Sequence, residues 1–145
     1  MTRKDKGHFA AKYRKGTRLD SKIAEAIKGK VSEGTITCAA AFEISGELKL
    51  KPSEVGIAID LMETRISRCQ LGLFGYYPQK KIVKPAEAVS QSLEQAIKSL
   101  LKNNRISCAS CWDIAEKLDI PKMKVSAACE KLKIKISFCQ LGAFG

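Results

Sequence analysis

A single histidine, His8, among 145 residues removes much of the usual chemistry. It has no second histidine with which to form an H-E-x-x-H zinc site, and no Ser/His/Asp set can be assembled around it. It reads as ordinary surface. The chain also lacks a glycine-rich phosphate loop and a pair of carboxylates placed on a recognisable cleft, so neither catalysis nor a cofactor is expected. No apolar run approaches the roughly 18 residues that a membrane span needs. Residues 1–18 lack the apolar centre of a secretory signal, which places the chain, as an expectation, in the cytoplasm with its six cysteines as reduced thiols.

What is present is an echo. Residues 66–75 read I-S-R-C-Q-L-G-L-F-G and residues 136–145 read I-S-F-C-Q-L-G-A-F-G. Sliding the chain by 70 positions aligns 19–75 with 89–145 without a gap, and 18 of the 57 pairs are identical. A tandem duplication follows. It divides the chain into an arm (1–18), a first repeat (19–75), a linker (76–88) carrying Pro78 and Pro85, and a second repeat (89–145).

Charge is spread unevenly over these parts. The total is +11; the arm holds +6, the first repeat −1, the linker +2 and the second repeat +4. Two basic parts flanking a near-neutral one suggest a polyanionic partner, although excess lysine also serves solubility alone. The arm mixes its cations with His8, Phe9 and Tyr13 and shows no helical or strand period. Glu25, Glu43, Glu47, Glu54, Asp60 and Glu63 of the first repeat are spaced as solvated helix faces.

Each repeat opens with a helical stripe: Ile23, Ala26, Ile27 and Val31 in one, Leu93, Ala96, Ile97, Leu100 and Leu101 in the other. Asp20 or Ser21, and Ser90, are the residue types that cap such helices. A short extended segment follows (35–38 and 105–108). Ile114, Ala115 and Leu118 then form a second helical face, with Ser110 and Asp113 spaced as a capping box. Asp119, Ile120 and Pro121 make a tight connection, and Val125, Ala128, Cys129 and Leu132 face a third helix inward. The first copy keeps the outline in Ile44, Leu48, Leu50, Val55, Ala58 and Leu61. Gly46 and Gly56 inside its helices, each costing up to about 1 kcal/mol against alanine, mark it as the degenerate copy. After the third helix, Ile134, Ile136 and Phe138 alternate with polar residues as a strand does, and Gly72, Gly75, Gly142 and Gly145 allow a turn in which Phe74 or Phe144 folds back.

This order, carried by I-A-x-x-L-x-I, a short turn and a helix with valine at its first inward position, resembles a winged helix-turn-helix. The resemblance covers 19–75 and 89–145, with any wing stunted. The fold class it implies is mainly α, a tandem of two winged-helix-like three-helix units with short β-strands.

The cysteines supply an alternative. Cys108, Cys111, Cys129 and Cys139 would complete a four-sulfur shell. Yet Cys111 aligns with Ala41 and Cys129 with Ile59, so those positions accept apolar groups and no metal is expected. Only Cys38/Cys108 and Cys69/Cys139 occur in both copies.

The resemblance implies double-stranded DNA as partner, met by the third helix of the second repeat. The residues expected there are Lys122, Lys124, Ser126 and Lys131, with Lys133 and Lys135 beyond, joined by Arg3, Lys4, Lys6, Arg14, Lys15 and Arg18 of the arm. The helix holds no Arg, Asn or Gln for bidentate base contacts, so backbone-dominated binding is expected, in a regulatory rather than catalytic protein. The first repeat, with Glu54, Asp60 and Glu63 at the matching place, is left to pack, dimerise or receive a protein. The competing reading is an adaptor in which both repeats bind protein and the lysines are plain surface.

Overall fold

The computed structural model describes residues 20–76 and 80–144. Helix α1 (Ser21–Lys28) starts where the Asp20 carboxylate accepts from the Lys22 and Ile23 amides, and α4 (Gln91–Ser99) where the Ser90 hydroxyl accepts from Leu93. Strand β1 (Thr35–Thr37) leads into α2 (Cys38–Leu48), then come α3 (Pro52–Leu61) and β2 (Arg65–Ser67). The second repeat gives β3 (Arg105–Ser107), α5 (Cys108–Leu118), α6 (Lys122–Lys131) and β4 (Lys135–Ser137). The molecule is therefore mainly α, with six helices and four three-residue strands among the described residues. Corresponding strands and the second and third helices of each repeat begin 70 residues apart.

Local chemistry explains the matching boundaries, and corrects one. α5 is capped by Ser107, whose Oγ accepts from the Ser110 amide at 3.1 Å, so the cap lies three residues before the Ser110 box expected from sequence. Thr37 does the same for α2. Lys49 and Asp119 take the left-handed conformation (φ 54° and 53°) that ends α2 and α5. Gly34 and the Asn103-Asn104 pair also have positive φ, but in the turn that enters β1 and β3 rather than at a helix end.

In each repeat the first strand pairs in parallel with the second: Thr35, Ile36 and Thr37 with Arg65, Ile66 and Ser67, and Arg105, Ile106 and Ser107 with Lys135, Ile136 and Ser137. Neither pair gains a third strand among the described residues. The central isoleucines point into the core, and the flanking positions are exposed or half-buried except Ser137, which is buried. The alternation expected through Phe138 stops short: Phe138 has φ 54° and its side chain is exposed.

The compact units do not follow the repeat ends. One takes in the chain as far as Cys69 and again from Gln140; the other runs from Gln70 to Cys139. The closing turn of each repeat thus completes the unit built on the other repeat's helices. In the first unit, α1, α2 and α3 pack on one another around Ile27, Ile36, Ile44, Val55 and Ile59, and Leu141 is buried. In the second, α4, α5 and α6 surround Ile97, Ile106, Ile114 and Val125, and Leu71 is fully buried. The anchor of each turn is this leucine, whereas Phe74 and Phe144, expected to fold inward, are half-buried.

Gly56 is accordingly no sign of decay. A Cβ there would overlap the carbonyl of Leu141, so α3 needs glycine to let that backbone approach. Gly46, with open space around it, shows no such need. Asp60, expected to be solvated, is fully buried on the same helix. The other five acids of that group are exposed.

Candidate nucleic-acid interface

Helix α6 buries Val125, Ala128 and Cys129 toward the core, and the opposite face should be free to meet a partner. It is covered instead by Leu71, Gly72, Lys81 and Ala86. Ser126, expected to touch DNA, is fully buried, and its Oγ donates to the Leu71 carbonyl at 2.7 Å. Met123 packs at Gly72, whose φ of +75° is needed for the turn. The Ala127 carbonyl accepts from the Ala86 amide at 3.0 Å, and Glu130 pairs with Lys81. Residues 123, 126, 127 and 130 are one helical face. That face is closed to a DNA groove, and Ser126 is out of reach of one. The sequence shows only Met, Ser, Ala and Glu at these positions; the cover comes from the other repeat and the linker.

The predicted lysines divide accordingly. Lys122 is half-buried, its Nζ 4.6 Å above the Trp112 ring, a cation–π contact. Lys124 and Lys131 are exposed at the margin of α6. Lys133 is exposed in a left-handed turn ahead of β4, not on the strand, and Lys135 is exposed at its first position. Arg3, Lys4, Lys6, Arg14, Lys15 and Arg18 lie outside the described residues.

Two cations that the helical pattern does not reveal join them. Arg105 is the register partner of Lys135 across the parallel pair, and both are exposed. Lys102 exchanges two backbone hydrogen bonds of 2.9 Å with Arg105, which brings it to the same end of the sheet. Residues 100–110 and 131–140 hold five Lys/Arg and no Asp or Glu. The matching stretches of the first repeat, 30–40 and 61–70, include Glu33 and Glu63, and Lys30 there is tied to Glu43 at 3.1 Å. Comparing the aligned segments for acids, rather than looking along α6 alone, exposes this difference.

The thiols form no ligand set. Among the described residues no group of three or more His, Cys, Asp or Glu side chains is gathered as a metal ion would require. Cys111 and Cys129 are both fully buried; a hydrogen bond with Cys129, and burial, push the Cys111 thiol up from its ordinary range.

The chain matches no protein-family model, no curated protein and no solved structure. Among the described residues no helix is long and apolar enough to cross a membrane.

Proposed function

We propose that this protein is a non-catalytic, DNA-associated regulatory protein. It holds the duplex through its phosphates, using the sheet end of the second unit together with the basic arm. The observation that carries this reading is the exposed register pair Arg105–Lys135 with Lys102 bonded to Arg105, joined by Lys131 and Lys133 in the chain leading into β4. Such a surface neutralises phosphates without reading bases, and its affinity falls steeply with salt. The order of helix, strand, two helices and strand supports descent from a winged-helix-like unit, but the binding mode differs from the one that resemblance implies, since the outward face of α6 is covered.

A gel-shift titration of the full chain with random duplex at two salt concentrations tests it. Affinity should drop by orders of magnitude from low to moderate salt; no binding at low salt would refute the reading. The covered face of α6 favours the alternative of a protein adaptor, which predicts little affinity for duplex at either concentration.

A further inference from the structure

Leu100 and Phe138 are the two large apolar side chains that stand exposed among the described residues, at 41% and 71%, and both line one groove of about 620 Å³ in the second unit. An aromatic ring largely left in water at a left-handed backbone position, φ 54°, carries two costs. The remainder of the groove is polar and cationic: Lys102, Arg105, Asn103 and the hydroxyls of Ser107, Ser110 and Ser137, with no acid in its lining.

Ser107 and Ser110 lie at the start of α5, an eleven-residue helix, and Ser137 on β4 is the register partner of Ser107. Ser107 Oγ accepts the Ser110 amide and donates to Ser110 Oγ at 3.0 Å. With its oxygen already accepting, Ser110 has its own proton to give. Ser137 is 1% exposed, and its Oγ has no hydrogen-bond partner among the described residues. A buried hydroxyl without a partner costs about 1–3 kcal/mol. Its counterpart Ser67 is satisfied, donating to the Ile36 carbonyl at 3.4 Å. Ser110, Ser137, Lys102 and Arg105 can therefore donate to a ligand there, Asn103 brings an amide that both donates and accepts, and the first-turn amides and helix dipole favour the same sign.

Donors of this kind suit a phosphate, and a bare aromatic ring beside them suits the face of a base. We propose that this groove is a nucleotide-binding site. One phosphate is held by Ser110, Ser137, Arg105 and Lys102 at the start of α5, with the attached base stacked on Phe138. A base inside a duplex is already stacked on both faces, so the ligand is an unpaired nucleotide, either free or within a single strand. The site goes beyond the duplex reading and stands without it.

The first repeat shows which changes the fold accepts. Ser110 aligns with Ala40, Lys102 with Ser32, and Phe138 with Arg68, which has φ 50° at the same place. The full-length protein and its Ser110→Ala/Phe138→Arg variant are titrated with adenosine monophosphate, with a mixed single strand of about 12 nucleotides, and with random duplex, and thermal melts check folding. The wild type should bind the single strand, and the variant should bind it about tenfold or more weakly, while duplex affinity is kept or raised by the added cation. Binding of the monophosphate as well assigns the site to free nucleotide; binding of the strand alone assigns it to nucleic acid. If wild type binds neither, or the folded variant binds as wild type does, the proposal is overturned. Duplex binding that persists in that case leaves the DNA reading intact, and its loss beside retained single-strand binding overturns only the DNA reading.

Discussion

Ser126 Oγ donates a 2.7 Å hydrogen bond to the carbonyl of Leu71, 55 residues earlier in the chain. Seventy positions back, Gly56 meets the carbonyl of Leu141 by close backbone approach instead. One structural problem, how a third helix receives a foreign turn, is solved by a hydroxyl in one unit and by the lack of a side chain in the other.

These two solutions are not interchangeable. Ser126→Ala leaves the Leu71 carbonyl without that donor and should cost about 1–3 kcal/mol. Gly56→Ser forces a side chain into backbone that is already in contact and should cost at least as much, about 1–3 kcal/mol or more. Urea unfolding of both variants checks the pair, and a neutral Gly56→Ser would mean that Leu141 is not seated against α3.

Removing the residues from 140 onward should loosen the first unit, not the second repeat that carries them. Loss of the buried Leu141 side chain alone is worth about 2–5 kcal/mol. Amide exchange should accelerate at Val55, Ala58 and Ile59 of α3, while the amides of α5 and α6 keep their protection. The reverse pattern would show that each repeat closes on its own turn.

The duplication, the helices and their inward faces were legible because periodicity and the 70-residue echo state them directly: Ile97, Ile114 and Val125 are buried as expected. The caps Asp20 and Ser90 were legible for the same local reason. What sequence did not show is which surface each face meets. Gly56, Asp60 and Ser126 looked respectively like a flaw, a solvated acid and a DNA contact, because exposure was inferred from one helix at a time. All three are buried, and Gly56 and Ser126 lie against Leu141 and Leu71, chain that the local pattern cannot place. The Arg105–Lys135 register was hidden for a related reason, since strand pairing joins residues thirty apart that no helical period connects.

For the duplex, the expected contributors differ from those on the helix. Lys131→Gln, Lys135→Gln and Arg105→Gln should each weaken binding without changing sequence preference, lowering the slope of log affinity against log salt by about 0.9 for every phosphate left without its cation. Lys122→Gln should change it least, since that ammonium is already engaged with Trp112. Fluorescence anisotropy across a salt series measures both.

The buried Cys111 thiol makes stability depend on alkaline pH. Cys111 titrates higher when folded than in an unfolded chain, where a thiol ionises near about 8.5. Folding therefore favours its protonated form, so this contribution is complete below about pH 8.5 and declines as pH rises beyond it. The urea midpoint should fall between neutral and strongly alkaline pH, and Cys111→Ala, the residue type found at position 41, should flatten that decline. Labelling with a thiol reagent should modify the half-buried Cys139 before Cys111 or Cys129.

The seating of Leu141 on α3 has a bearing on biosynthesis. As the polypeptide emerges from the ribosome, the earlier helices are finished long before the leucine that seals them exists, and they must wait with an uncovered flank while the entire later half is translated. Any chaperone dependence of this protein should therefore fall on its amino-proximal part.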